Sequence, residues 1–355
     1  MQNRSHRFLI VFGIPLAVLI GLWFYATFVP VISQKPGAIY NLRVGISKRT
    51  LVSEFSQQKI LSHPHLFSLY IIFKPTSQLK AGEYLFKPGS TFASIWQQMT
   101  TGTGYYYRPF MIVPGRSFKE IRQKLQTAEG INLLTQQMND QQIMLELGYP
   151  NFLPEGEFFP ETYYYTRGTN DLVILKNAFL LMQEKLSAAW QKRAKKLPYK
   201  NQYEALIAAS LIEKEAYLAA ERPLIASVLI NRMNQNMLLQ FDPTVIYGMG
   251  NRYNGAISKK DLKENTPYNT YVHEGLPPTP IAMPSLASIE AALHPASTNY
   301  LYFVAKEDGS GGHQFSKTLE EHYQAVLKAN ERKRVRLESK EALPVKKDQS
   351  NAQAG

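Results

Sequence analysis

The stretch ASLIEKEAYLAAER, Ala209 to Arg222, carries Glu-Lys-Glu inside a run of strong helix formers. An ionised carboxylate is expensive to bury, so a glutamate in such a setting either pairs with a cation or raises its pKa and keeps its proton. A glutamate that is protonated at neutral pH is a general acid. The alternative is structural, a salt bridge to Lys214, Arg222 or a more distant base. Read as one helix from about Tyr203 to Met233, the segment puts Ala208, Leu211, Ile212, Leu218 and Ala219 around Glu215. Around Glu213 it puts Leu206, Ala209, Ser210, Ala216, Tyr217 and Ala220. Apolar residues around both predict a helix buried on most sides. Two positions apart on a helix, Glu213 and Glu215 point in nearly opposite directions and cannot form one acid pair. Either would work alone or with a residue from elsewhere in the chain.

Two later segments could supply such residues. LLQFDPTVIYGMGNRYNG sets Gln240 and Asp242 just before a proline and a short tyrosine-bearing element. TPYNTYVHEGLPPTPIAMPS holds Tyr268, Asn269, Thr270 and Tyr271 ahead of a stiff Gly-Leu-Pro-Pro turn. Amide, hydroxyl and phenol groups on proline-stiffened loops suit a sugar, which presents hydroxyls and flat apolar faces. KEDGSGGHQF is glycine-rich but lacks the Gly-Lys-Ser/Thr ending of a phosphate cradle, so it reads as a turn. His63 and His65 flank a proline at a helix entrance and read as capping or surface residues rather than metal ligands.

The elements around these residues are mixed. From Gly37 to Tyr107 the pattern predicts a strand at AIYNLRVG, a helix at SKRTLVSEFSQQKIL capped by Ser47, a second helix at HPHLFSLYIIF, a strand at AGEYLFKPGS and a closing helix at TFASIWQQMTTG. Small β-α-α-β modules of this size bind carbohydrate or serve as spacers. YYYRPFMIVPGRSFKEIRQKLQ reads as a strand, a Pro-Gly turn and a helix. Helices then dominate, interrupted by NFLPEGEFFPETYYYTRGTN, which reads as an aromatic surface for sugar faces or as a packed corner. The tail, residues 331–355, is charged without an apolar period and is expected to be solvated and partly disordered.

The N-terminus indicates where this machinery sits. Residues 8–32 are uncharged and long enough to cross a bilayer of roughly 30 Å as a helix. Arg4 and Arg7 precede them, so residues 1–7 are expected in the cytoplasm and the rest of the chain beyond the membrane. A cleaved signal peptide would have a shorter apolar region and a small-x-small site after it. The net charge of +12 points to acidic surroundings or partners. No nucleic-acid-binding signature accompanies it, and many of the basic residues lie near the two termini. With no cysteine there is no disulfide or thiolate chemistry.

In order, ASLIEKEA, INRM, LQFDPTVIYGMG, RYNG, YNTY, GLPPTPIAMPS, AALHPA, YLYFVA and GGHQFS resemble the endolytic murein transglycosylases, the YceG-like proteins of bacterial inner membranes. The resemblance runs from the N-terminal helix to about Asn330. It implies an α+β fold with one transmembrane helix, a small LysM-like module at 33–107, and at 108–330 a mostly helical catalytic domain. The active site would look like that of lysozyme-related lytic transglycosylases. The family's catalytic glutamate falls on Glu215. Gln240, Asn269, Thr270 and Tyr271 become candidates for holding the sugar, with Asp242 orienting one of them. Ala216 stands where the family often has Ser or Thr, and Pro114-Gly115 where it usually has Glu-Gly.

The implied reaction cuts the bond between N-acetylmuramic acid and N-acetylglucosamine within new peptidoglycan strands and leaves 1,6-anhydro ends. Most glycosidases use two carboxylates; this reaction needs one, acting as acid and then as base, and no cofactor or metal. Expected partners are the glycan strand, the inner membrane and peptidoglycan synthases. A muramidase using the same glutamate with water, and a non-catalytic wall-binding scaffold, are the competing readings.

Overall fold

The computed structural model describes residues 13–33 and 35–341. The chain forms two compact units, one running to Phe110 and taking in Glu129–Asn132 and Tyr164–Thr169, the other made of the remainder. Among the described residues, helices and three two-stranded sheets make the fold α+β.

The first unit contains helix α1 (Ile14–Phe28), strand β1 (Ala38–Leu42), helices α2 (Lys48–Gln57) and α3 (Pro64–Ile71), strand β2 (Gly82–Phe86) and helix α4 (Phe92–Thr101). These are the predicted elements in the predicted order, because their ends are fixed locally. Ser47 Oγ accepts the Thr50 N–H at the start of α2, and Thr91 with Ser94 forms a reciprocal cap on α4. β1 and β2 pair antiparallel, with Tyr40 opposite Tyr84. Phe55, Phe67, Phe86 and Phe92 fill the core beneath them, and Ala26, Val31 and Ile32 enter the same core. Tyr25 Oη meets His63 Nδ1 at 2.8 Å, so His63 is tied to the end of α1. Among the described residues no helix is long and apolar enough to cross a membrane. Residues 8–12 of the expected span lie outside the described residues.

In the second unit the elements that position the site are α5 (Phe118–Gln126), α6 (Asp140–Glu146), α7 (Asp171–Gln191), α8 (Gln202–Glu215), α9 (Arg222–Asn234), α10 (Asp242–Met249), α11 (Leu286–Leu293), the hairpin β3 (Tyr302–Ala305) and β4 (His313–Ser316), and α12 (Leu319–Glu341). Helix α8 is the centre, buried continuously from Ala205 to Ile212 and packed against α7, α9, α10 and α11. Asn201 caps its start through the Glu204 N–H.

Two features depart from the sequence reading, and a third decides between its alternatives. The single helix expected from Tyr203 to Met233 is broken: α8 stops at Glu215, Ala216 is extended, and α9 begins at Arg222. Pro223 rules out one continuous helix, since a helix running through it would lose a hydrogen bond and clash with the carbonyl of Ala219, and it sits instead in the first turn of α9. The aromatic interruption is core rather than surface around Phe158, which is fully buried and stacks on Phe118. Glu155 and Glu157 are buried with it. The charged tail stays helical as far as Glu341, tied by Arg336 to Glu307 at 2.8 Å; residues 342–355 lie outside the described residues.

Candidate active site

The break after α8 decides what each glutamate does. Glu213 Oε2 accepts hydrogen bonds from Ser285 N (2.9 Å), Ser285 Oγ (2.5 Å) and Ser288 Oγ (2.7 Å) at the start of α11. A carboxylate at a helix N-terminus is favoured by the free N–H groups there. Arg222 lies 3.9 Å from its other oxygen. Glu213 therefore has a structural role, with one of the ion-pair partners that the sequence offered.

Glu215 is the last residue of α8 and lines a cavity of about 470 Å³. It is partly exposed on the cavity wall, yet protein crowds its carboxyl. Burial, and then the nearby Asp242 carboxylate, push it up to about 8, with Lys214 opposing. The carbonyl end of α8 acts in the same direction, because a helix C-terminus disfavours negative charge. The carboxyl thus keeps its proton at neutral pH while facing open space, as a general acid requires.

Asp242, Gln240 and Tyr271 line the same cavity. Tyr271 Oη donates to Asp242 Oδ1 at 2.5 Å. Burial and this bond together hold the phenol well above its ordinary pKa. Gln240 has a left-handed backbone, φ 57°, which is strained for a residue with a side chain. Two bonds hold it there: its N–H to Thr270 O (3.0 Å) and Arg232 Nη1 to its Oε1 (3.1 Å).

Asn269 and Thr270 are brought to the site differently. Both are 1% exposed, and neither side chain lines the cavity. Asn269 Nδ2 donates to the carbonyls of Asp261, Leu262 and Glu264, and its Oδ1 accepts the Tyr271 N–H at 2.9 Å. Thr270 Oγ1 accepts the Phe241 N–H at 3.0 Å, at the entrance to α10. They build the loop that presents Tyr271 and Asp242.

Among the members of the cavity wall that sequence reasoning missed are Arg232, Phe303, His313 and His322. Arg232 is buried in the last turn of α9 and donates to the carbonyls of Leu238, Leu239 and Leu301, which fixes the loop leading to Gln240. His322 on α12 stacks on Tyr302 and is held below its ordinary pKa by burial and by Arg232. His313 follows the glycine-rich turn and is paired with Glu221, 92 residues earlier. INRM and GGHQF were visible as strings, but no local pattern reports a partner so distant.

Replacing Asp242 by Asn removes the charge that helps keep Glu215 protonated. The ionisation of Glu215, followed through its carboxyl carbon by NMR, is expected to move to lower pH. An unchanged midpoint would show that burial alone sets it.

The fold and the cavity define a class: an α+β protein that holds one protonated carboxyl at a helix end, facing an open cleft beside a second carboxylate. Residues 41–328 match the YceG-like family, and the chain belongs to that family. It is 33% identical over 306 residues to the endolytic murein transglycosylase of Bacillus subtilis strain 168, a match covering 81% of this chain and 83% of the relative. A protein of the same name from Streptococcus pneumoniae is 28% identical over 297 residues, covering 74% of this chain and 54% of that one, so the chain spans about half the pneumococcal protein. A solved crystal structure of a yceG-like protein from Listeria monocytogenes is similar at a TM-score of 0.50 and 27% identity, covering 82% of this chain and 99% of that one.

Proposed function

We propose that this chain is an endolytic murein transglycosylase, cutting the N-acetylmuramic acid–N-acetylglucosamine bond inside new peptidoglycan strands and leaving 1,6-anhydro ends. The observation that carries the reading is a carboxyl kept protonated up to about pH 8 on the wall of an open cavity, in a chain whose relatives bear that name. Glu215 protonates the glycosidic oxygen as the bond to C1 breaks. Its carboxylate then takes the proton of the muramyl C6 hydroxyl, whose oxygen closes on C1 of the same sugar. The proton lost in the first step returns in the second, and no water is consumed. The nucleophile is already attached, so its effective concentration is high. Asp242, with Tyr271 bonded to it, supplies negative charge beside the cation that develops at C1.

In this reading residues 33–107 are a LysM-like module, and residues 108–330 are a catalytic domain with a lysozyme-like site. Residues 8–32 form a single-pass anchor in the inner membrane, with residues 1–7 cytoplasmic and the catalytic unit on the periplasmic side. The uncharged sequence of α1 and the exposure of Leu16, Leu19, Ile20, Trp23 and Phe24 support the anchor. Partners are the glycan strand, the membrane and synthases extending the same strands. The anchor limits the enzyme to material near the membrane, which suits terminating new strands.

One observation favours a second reading. Asp242 is a further carboxylate in the same cavity, as a muramidase working with water would need. Mass analysis of the products from uncrosslinked strands separates the two. Anhydro ends are expected, and reducing ends, one water heavier, would decide for hydrolysis.

A further inference from the structure

The connection between α8 and α9 carries an aromatic that the mechanism does not use. Tyr217, two residues beyond Glu215, is 80% exposed. Single exposed hydrophobes are common, but this one is seated on the glycine-rich turn of the β3–β4 hairpin. A Cβ at Gly311 would lie 2.4 Å from Tyr217 Cδ1, and the φ of +73° there also favours glycine. At Gly312 a Cβ would meet Glu221 Oε1 at 2.9 Å and Leu218 Cδ1 at 3.2 Å. The two glycines let the turn close onto the α8–α9 connection and hold one edge of the Tyr217 ring, leaving most of it in solvent.

The residue after these glycines is fixed as well. Glu221 accepts the His313 N–H at 2.8 Å through Oε1, and its Oε2 lies 2.7 Å from His313 Nδ1. The carboxylate selects the tautomer with hydrogen on Nδ1, so Nε2 is the nitrogen left for a ligand. The imidazole lines the same cavity as Glu215. A flat ring held in solvent thus rests on Gly311, two residues before an oriented imidazole that lines the cavity of Glu215.

We propose that Tyr217 and His313 form a sugar subsite for the strand. The apolar face of one pyranose stacks on Tyr217, and a hydroxyl of the same or the neighbouring sugar bonds His313 Nε2. Pyranoses carry C–H groups on their faces and hydroxyls at their edges, which matches this pair. The inference rests on the glycan-cleaving reading and gives it a grip on sugars beyond the scissile bond, as cutting inside a strand requires.

The test is steady-state cleavage of uncrosslinked glycan strands by full-length wild type, Tyr217→Ala, Tyr217→Trp and Glu215→Gln. Tyr217→Ala is expected to lower kcat/KM by about tenfold, mostly through KM, the size of one lost aromatic contact. Tyr217→Trp should restore it, and the unfolding midpoint should not move, since the ring is exposed. Tyr217→Ala cleaving as well as wild type, while Glu215→Gln is inactive, would overturn the subsite and leave the catalytic reading standing. A loss confined to kcat with a lowered midpoint would also overturn it, because the ring would then be bracing the acid. An active Glu215→Gln would instead remove the catalytic reading.

Discussion

Glu215→Gln is expected to lower turnover on glycan strands by about a thousandfold or more, with KM little changed, and at the same time to stabilise the protein at neutral pH. Loss of a general acid reduces rates by roughly 10²–10⁴-fold, and here one group also serves as the base. The gain in stability follows from linkage. In the unfolded chain the carboxyl ionises around its ordinary value of 4.5, whereas in the folded protein it holds its proton until about 8. Between those values the unfolded state is favoured progressively as pH rises; below 4.5 the effect is absent and above 8 it is constant. Glutamine cannot ionise and escapes this loss, so the variant should gain about 2–3 kcal/mol at pH 7. Glu213→Ala makes the contrast. It leaves three donors on Ser285 and Ser288 without their acceptor and should destabilise by about 1–3 kcal/mol. Thermal unfolding across the pH range, beside single-turnover cleavage, reads both effects. A Glu215→Gln protein that cuts at the wild-type rate, or is less stable than wild type at pH 8, would contradict the assignment.

How much of this was legible in advance depends on how far apart the cooperating residues lie. The small unit could be read element by element, because Ser47, Thr91 and the Pro-Gly turns act on neighbours within a few residues. Periodicity separated Glu213 from Glu215 but could not choose between them. Ser285 and Ser288, more than 70 residues on, bond Glu213 at the start of α11, which no local pattern could report. The resemblance pointed to Glu215 without a physical reason; in the structure that residue ends α8 and lines the cavity. That end was hidden, since Ala216 to Glu221 have good helix propensity and only Pro223 hints at a break. Asn269 and Thr270 show the opposite error. Their residue types suited a sugar site, yet their hydrogen bonds are used up inside the loop that carries Tyr271. Proximity in sequence to a site residue told that they matter, and not how.

The second large effect concerns the catalytic unit as a whole, which is expected to lose stability as pH rises from 5 to 8. Two carboxyls besides Glu215 are responsible. Burial pushes Glu155 up to about 7, against hydrogen bonds from Tyr247 Oη (2.9 Å) and Phe118 N (3.0 Å). Burial likewise pushes Glu157 up to about 7, against one bond from Gln183 Nε2 (2.6 Å). Each raised value contributes stability that is full below the ordinary value of 4.5 and lost as pH climbs through the folded one. With Glu215, the sum over the interval is on the order of 8 kcal/mol. The small unit should not follow. There burial acting on Glu83 is outweighed by Arg108 and Arg167, so its carboxyl is held below the ordinary value and its contribution is lost only on acidification. Hydrogen exchange of core amides separates the two cases, with protection in α7 and α8 falling between pH 5 and 8 after correction for intrinsic rates, and protection around Tyr84 and Phe86 unchanged. Glu157→Gln removes one titrating group and still gives Gln183 an oxygen to bond. It should recover about 3 kcal/mol at pH 8 and almost nothing at pH 4.5. Equal destabilisation by Glu157→Gln at both values would mean that Glu157 is ionised in the fold, and that its pairing with Gln183 is worth more than its proton.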